Sequence, residues 1–592
     1  MQFSKPSVEQ FFEVFNLTCF AVDPEEKQLI FEIDFAGKPE IWAMDLDTRF
    51  PYKLHASGQQ THDLRYSKDG SYIVVSFDHD GDENAQVYAL PREGGEVKPL
   101  ICAEGERHMV EGFSKDGQSL YYTTTNGNKM YLNVMRYDVE KGIAELIHEG
   151  EGTGTYLAGK SDDERTLVIG KHFANTYIPV YVLRDGTLTP IVTDGNEVYS
   201  TSAGEFMSEN DLYMAINHES DFHYLSHYDV ENNKLTKVHA FTNESINGLY
   251  GSADKKGLYI STSAGVDDRL YYYDIATNTC EPMSLPVNVI TQFVVSKKGT
   301  LFLLGQTATS PNNLYRYDGN AWEKLTTVQV PGIAEETLVE PELLRYPSFD
   351  GLEIEALYFR PRPEVDNGHV ILWPHGGPQA AERKTYRAWF HYLVYAGYRI
   401  VAPNFRGSTE YGAAFMKMVQ GDWGHGPRLD NIACLDYLIE NGYVESDKIF
   451  LMGGSYGGYM ALLLHGRHAS YFKGVVDIFG VSNLLSFYKS APDHWKPMLK
   501  TWIGDPEKDH DRFVRDSPIT YLEDMTKPML VIQGANDPRV VKSESDRVVE
   551  ALREKGREVE YIVFDDEGHG FTKKENRIVT FKRILAFFDQ YL

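Results

Sequence analysis

Three short segments in the carboxyl-terminal part of the chain carry residue types that can do chemistry together. Gly453 to Gly458 reads Gly-Gly-Ser-Tyr-Gly-Gly between two apolar runs, a G-x-S-x-G nucleophile elbow with Ser455 at its apex. Glycines there leave room for a strand to become a helix within a few residues. A serine hydroxyl is a weak nucleophile at neutral pH and needs a base to take its proton and an acid to orient that base. Both follow in the chain. Gly534-Ala535-Asn536-Asp537-Pro538-Arg539 comes after the apolar run Met529 to Ile532, and Asp565-Asp566-Glu567-Gly568-His569-Gly570 after Glu560 to Phe564. The order Ser455, Asp537, His569 is that of a hydrolase triad in which each member stands at a strand end. The oxyanion formed on attack needs preorganised donors. The amide of Tyr456, next to the nucleophile, is one; the amide of Gly377, in His375-Gly376-Gly377-Pro378 after an earlier strand, is the other.

These residues require a scaffold that delivers strand ends to one place. From residue 331 apolar runs at Val370 to Trp373, Arg399 to Ala402, Ile449 to Met452, Gly474 to Ile478, Met529 to Ile532 and Glu560 to Phe564 alternate with amphipathic helical segments. That alternation predicts a mostly parallel, doubly wound sheet covered on both faces, an α/β-hydrolase fold over 331–592, with ligands bound at the carboxyl ends of the strands.

Residues 18–330 read differently. A polar turn, an alternating strand, a second turn and an aromatic strand ending in Tyr-Asp recur from near Phe20, Leu64, Glu111, Tyr156, Thr201, Leu249 and Thr291. Ser67-Lys68-Asp69-Gly70 matches Ser114-Lys115-Asp116-Gly117, while the fourth repeat, Ser161-Asp162-Asp163-Glu164, is degenerate. A period of roughly 40–50 residues with four short strands predicts a β-propeller of about seven blades, the count open by one. Residues 1–17 hold a short helix, Ser7 to Asn16, whose phenylalanines call for burial, against the hydrolase part or against a second subunit.

Composition narrows the function classes. The 592 residues include 58 Lys and Arg against 86 Asp and Glu, a net charge of −28 that disfavours nucleic acid and anionic membranes. The four cysteines form no C-x-x-C pair, and the amino terminus, Met1 to Pro6, lacks a leader pattern, so the expectation is a cytoplasmic protein. No cofactor or metal is expected. Asp78-His79-Asp80-Gly81-Asp82 has its glycine one position early for a calcium loop and reads as a hairpin turn; His465 and His468 lack a third ligand.

Taken together, His375 to Pro378, Asn404-Phe405-Arg406-Gly407-Ser408-Thr409, Gly421-Asp422-Trp423-Gly424, Gly453 to Gly458, Asp537 to Arg539 and Gly568 to Gly570 resemble the prolyl oligopeptidase family of serine peptidases over essentially the whole chain, and most of all its acylaminoacyl-peptidase branch. Glu410, where glycine is common, and His425 depart from that pattern. The resemblance implies a peptidase working through an acyl-enzyme on short peptides, releasing N-acylated amino acids. It also implies that Arg539, as a buried guanidinium, holds a substrate carbonyl, that Phe479, Val481 and Trp502 line the S1 pocket, and that the protein is a homo-oligomer, a dimer being favoured. Esterase, prolyl endopeptidase and dipeptidyl-peptidase activities remain as alternatives, as does a propeller binding protein with an inert hydrolase.

Overall fold

The computed structural model describes residues 6–193 and 198–592; Met1 to Lys5, most of the segment read for a leader, lie outside the described residues. Seven four-stranded antiparallel sheets follow one another, beginning with strands Cys19–Val22, Thr61–Tyr66, His108–Phe113, Gly154–Lys160, Thr201–Phe206, Ser245–Gly251 and Val289–Val295. Every blade start expected from the sequence falls on one of these first strands. Each blade is built from consecutive strands, so no strand is shared between the first and last blades. The ring closes through side chains instead. Gln292 of blade seven accepts from the Phe20 amide at 3.0 Å and donates to the Phe20 carbonyl at 2.9 Å, above a core that joins Phe20, Leu29 and Phe31 to Phe302 and Leu304.

The turn between the first and second strands repeats its chemistry. The hydroxyls of Ser67, Ser114, Ser161 and Ser252 donate to Asp69, Asp116, Asp163 and Asp254 at 2.6–2.8 Å. The degenerate fourth repeat therefore keeps its turn, with Glu164 at φ +61° where Gly70 and Gly117 stand at +73° and +75°.

The carboxyl-terminal domain is an eight-stranded sheet in the spatial order Glu342–Pro347, Glu353–Phe359, Arg399–Asn404, Val370–Leu372, Ile449–Gly454, Val475–Ile478, Met529–Gly534 and Val559–Phe564. The last six strands are parallel, and each of the six apolar runs is one of them. The first two form an antiparallel hairpin that the apolar runs do not announce; its edge strand exposes every other residue, which breaks the run, and Asp350-Gly351 makes the turn. Two cores cover the faces, one centred on the helix Tyr456–His468, the other on Ala388–Tyr395 and Lys574–Gln590. The amino-terminal helix, shorter than expected at Val8–Phe12, joins the second core of its own chain. Phe11 lies 5.7 and 5.4 Å from the rings of Tyr392 and Tyr395, and Phe12 stacks on Phe581. No described helix is long and apolar enough to cross a membrane.

The two domains meet through the hairpins that join second to third strands, since the antiparallel geometry puts them at the opposite end of each blade from the Ser-Asp turns. Asp34 of blade one pairs with Arg577 at 2.6 Å, Asn175 of blade four donates to Gln379 at 2.8 Å, and the Asp221 carbonyl of blade five accepts from the Ala413 amide at 2.9 Å. In blade six, Asp267 and Asp268 bind Lys384 and Arg383, and in blade seven the Ala308 carbonyl meets His391 at 2.7 Å.

Candidate active site

The strand Ile449–Gly454 ends one residue before Ser455, which adopts φ +58° and ψ −120°, and the helix begins at Tyr456. A non-glycine residue at positive φ is strained. The strain therefore sits on the nucleophile itself, pinned by its amide donating to the Ile478 carbonyl at 3.0 Å. The neighbouring glycines are needed for close approach. A Cβ on Gly457 would stand 2.1 Å from the Pro374 carbonyl oxygen, and one on Gly453 would stand 2.0 Å from that of Gly457.

Three strand ends converge on that apex. His569 Nε2 is 2.8 Å from Ser455 Oγ, and Nδ1 is 2.6 Å from Asp537 Oδ2. Asp537 is 4% exposed, and its other oxygen accepts from the amides of Arg539 and Val540 at 2.9 Å each, which fixes the carboxylate. In this arrangement Nδ1–H donates to Asp537, so Nε2 is free to take the serine proton as Ser455 attacks a carbonyl carbon. Residues 82 and 114 positions from Ser455 thus come within hydrogen-bond reach of one another.

The segment His375 to Pro378 passes beside the nucleophile. A Cβ on Gly376 would lie 3.4 Å from Ser455 Cβ, and Gly377 adopts φ +125°. The amides of Gly377 and Tyr456, the two assigned oxyanion donors, make no hydrogen bond among the described residues, which leaves both free for a developing oxyanion. His375 holds the loop. Its ring stacks on Phe405 at 4.2 Å, with Nδ1 2.7 Å from the Gly376 carbonyl and Nε2 2.9 Å from Ser408 Oγ. Burial pushes His375 down to about 4, so it is neutral under ordinary conditions. Glu410, in the same region, stands at φ +75°, a conformation that glycine adopts more readily.

The substrate side differs from the sequence expectation. Arg539 is not buried: its side chain is 43% exposed and pairs with Glu83 of blade two at 2.6 Å, with its guanidinium 5.8 Å from the Trp495 ring centre. Phe479, at φ +44°, places its ring 4.7 Å from that of His569 and borders the triad. Val481 and Trp502 are packed as core side chains. Trp502 lies 4.9 Å from Trp423 and 6.1 Å from Trp495, so the partly exposed Trp495 stands between it and Arg539. A cavity of about 160 Å³ at this boundary is lined by Asp82, Glu83, Glu106, Arg107, Lys129, Asp493, His494 and Pro538. Burial, and then Arg107, push His494 down to about 4, leaving it uncharged at neutral pH. Glu83 and Trp495 had no signal in the sequence, because nothing in an acidic turn reports a partner 456 residues away, nor in an isolated tryptophan a guanidinium delivered by another loop.

The remaining candidates are structural. His465 is fully buried and accepts the Lys527 amide at 3.0 Å, His468 bonds to Arg428, and residues 78–82 form the hairpin between the strands Tyr72–Phe77 and Gln86–Pro91.

Known proteins agree with this architecture. Residues 384–592 match the profile of the prolyl oligopeptidase family. Dipeptidyl aminopeptidase BIII of Pseudoxanthomonas mexicana is 27% identical, over 94% of this chain and 84% of its own. An acylamino-acid-releasing enzyme of Arabidopsis thaliana is 29% identical over 40% of this chain and 32% of its own. A puromycin-hydrolyzing peptidase of Mycobacterium tuberculosis superimposes with a TM-score of 0.85 at 20% identity, covering 100% of this chain and 96% of that one, which establishes the shared fold.

Proposed function

Because this chain is a serine peptidase of the prolyl oligopeptidase family, we propose that it is an exopeptidase for short peptides whose free amino terminus is recognised by Glu83. The observation that carries this reading is the Glu83–Arg539 pair in an acid-rich cavity, two residues along the chain from Asp537. A blocked terminus offers Glu83 a single uncharged amide N–H in place of an ammonium. An ammonium group can replace the guanidinium as its partner, which frees Arg539 to donate to a carbonyl of the bound peptide. Ser455 would then attack the scissile carbonyl, and the amides of Tyr456 and Gly377 would hold the oxyanion. His569 would protonate the leaving amine, and water would release the acyl group. The full-length likeness to a dipeptidyl aminopeptidase supports the same reading.

The branch expected from sequence, release of N-acylated amino acids, is the second reading. It is supported by the half-exposed guanidinium of Arg539, a ready donor to a neutral acyl carbonyl, and by the acylamino-acid-releasing relative. Measuring kcat/KM on matched free-amine and N-acetylated dipeptidyl anilides separates the two. Free-amine substrates are expected to be preferred at least tenfold. Glu83→Gln is expected to cost about tenfold or more on them, the scale of a charge-assisted contact, while sparing acetylated ones. A preference for acetylated substrates that survives Glu83→Gln would return the enzyme to the acylaminoacyl branch.

Two further proposals accompany this one. A reducing, cytoplasmic setting is supported by four thiols that are all free. A homodimer is supported by the open backbone edge of Glu342–Pro347, and light scattering reads it directly.

A further inference from the structure

The blade-two hairpin between Tyr72–Phe77 and Gln86–Pro91 touches both loops that deliver the triad's acid and base. Gly81, at φ +80°, lies so close to Gly568 that a Cβ on it would stand 2.7 Å from the Gly568 nitrogen and 2.8 Å from its Cα. A Cβ on Gly568 would in turn stand 2.2 Å from the Gly81 oxygen, and one on Gly534 would stand 2.2 Å from the Gly568 oxygen. The backbone just before His569 is therefore gripped between the strand that leads to Asp537 and a hairpin of the other domain. Asp80 strengthens the grip. Its carboxylate pairs with Lys573 at 3.0 Å and accepts from Gln59 at 3.2 Å, and its carbonyl accepts from Asn536, one residue before Asp537, at 3.4 Å.

We propose that this hairpin positions the triad, with Gly81 and Asp80 fixing the loop that presents His569 to Ser455. On the hydrolase side Glu567 already braces the loop, accepting the amides of Thr572 and Lys573 at 3.0 Å each. Towards the propeller the loop is held by Gly81 and by the Asp80–Lys573 pair. The propeller thereby acts on the rate of acylation. The inference holds whichever amino-terminal group the substrate carries, so its failure leaves the specificity reading untouched.

The test is Gly81→Ala in the full chain beside Gly186→Ala. Gly186 shares the left-handed backbone, at φ +73°, but has nothing within 4 Å of a Cβ. Gly81→Ala is expected to lower kcat on a small aromatic anilide by about 10–100-fold, the scale of an ångström's misplacement, with KM within about twofold. Labelling of Ser455 by a fluorophosphonate should slow in parallel. Gly186→Ala should change none of these. Asp80→Asn, which removes the ion pair with Lys573 and the longer one with the exposed His79, gives a smaller loss in the same readouts and serves if Gly81→Ala does not fold. If kcat and labelling are both unchanged in whichever of the two variants folds, the proposal is overturned. It is overturned equally if only KM for longer peptides moves, since that is the mark of a gate alone.

Discussion

The two ends of the propeller blades make an instructive contrast. At the end away from the hydrolase, turns in blades two, three, four and six repeat one Ser-Asp hydrogen bond almost without variation. At the facing end no two hairpins present the same contact: Asp34, Asp80 with Gly81 and Glu83, Asn175, Asp221, Asp267 with Asp268, and Ala308 each meet a different partner. A turn repeated in sequence serves the stability of its own blade, because the residues that satisfy it are local. A hairpin that departs from the repeat has been shaped by something outside its blade. Variation among repeats, rather than the repeat, is where the propeller's docking to the hydrolase domain is written.

Three substitutions sharpen or break that contrast. The largest effect belongs to the nucleophile: Ser455→Ala should lower kcat by about 10⁵-fold or more while leaving the affinity for a competitive peptide near its original value. Retained turnover would remove the triad from the reaction. Next is a facing-end contact away from blade two. Gln379, just after the oxyanion loop, receives Asn175 of the propeller and donates to the Met416 carbonyl at 3.1 Å. Gln379→Ala is expected to lower kcat about tenfold, one oxyanion donor in full being worth roughly 10²–10³, and to leave Tm almost unmoved. The smallest catalytic effect belongs to the far end. Ser114 is fully buried, donates to Asp116 at 2.6 Å and accepts the Ser119 amide at 2.9 Å. Ser114→Ala should cost about 1–3 kcal/mol of stability, read as a lower Tm, with kcat/KM unchanged. If Gln379→Ala behaved like Ser114→Ala, the facing hairpins would be an interface and nothing more.

Charge inside the hydrolase domain follows its packing. Burial pushes Asp477 up to about 8, beneath the helix that starts at the nucleophile: Oδ1 accepts the Gly480 amide at 2.9 Å, and a Cβ on Gly458 would lie 2.6 Å from that oxygen. The acid is thus held neutral below that pH, and the nucleophile's helix rests on an uncharged floor.

Legibility in the sequence followed the range of the interaction. Propeller strands and their turns were readable because alternation and a Ser-x-Asp pattern are satisfied within about ten residues. The six parallel strands were readable because burial on both faces makes continuous apolar runs. The edge strand Glu342–Pro347 was not, since four of its six residues are exposed.

For the site, chain order and motif spacing determined Ser455, Asp537 and His569, because an α/β sheet brings successive strand ends to one rim whatever lies between them. Tertiary structure alone decided that Arg539 would be half exposed and paired with Glu83, that Trp495 would stand in front of Trp502, and that Gly81 would press on Gly568. The Trp495 contacts lie within the hydrolase domain, whereas the Glu83 and Gly81 contacts join segments whose separation is set by how two independently readable domains dock. Docking depends on the shape of whole surfaces, which no local pattern of residues encodes.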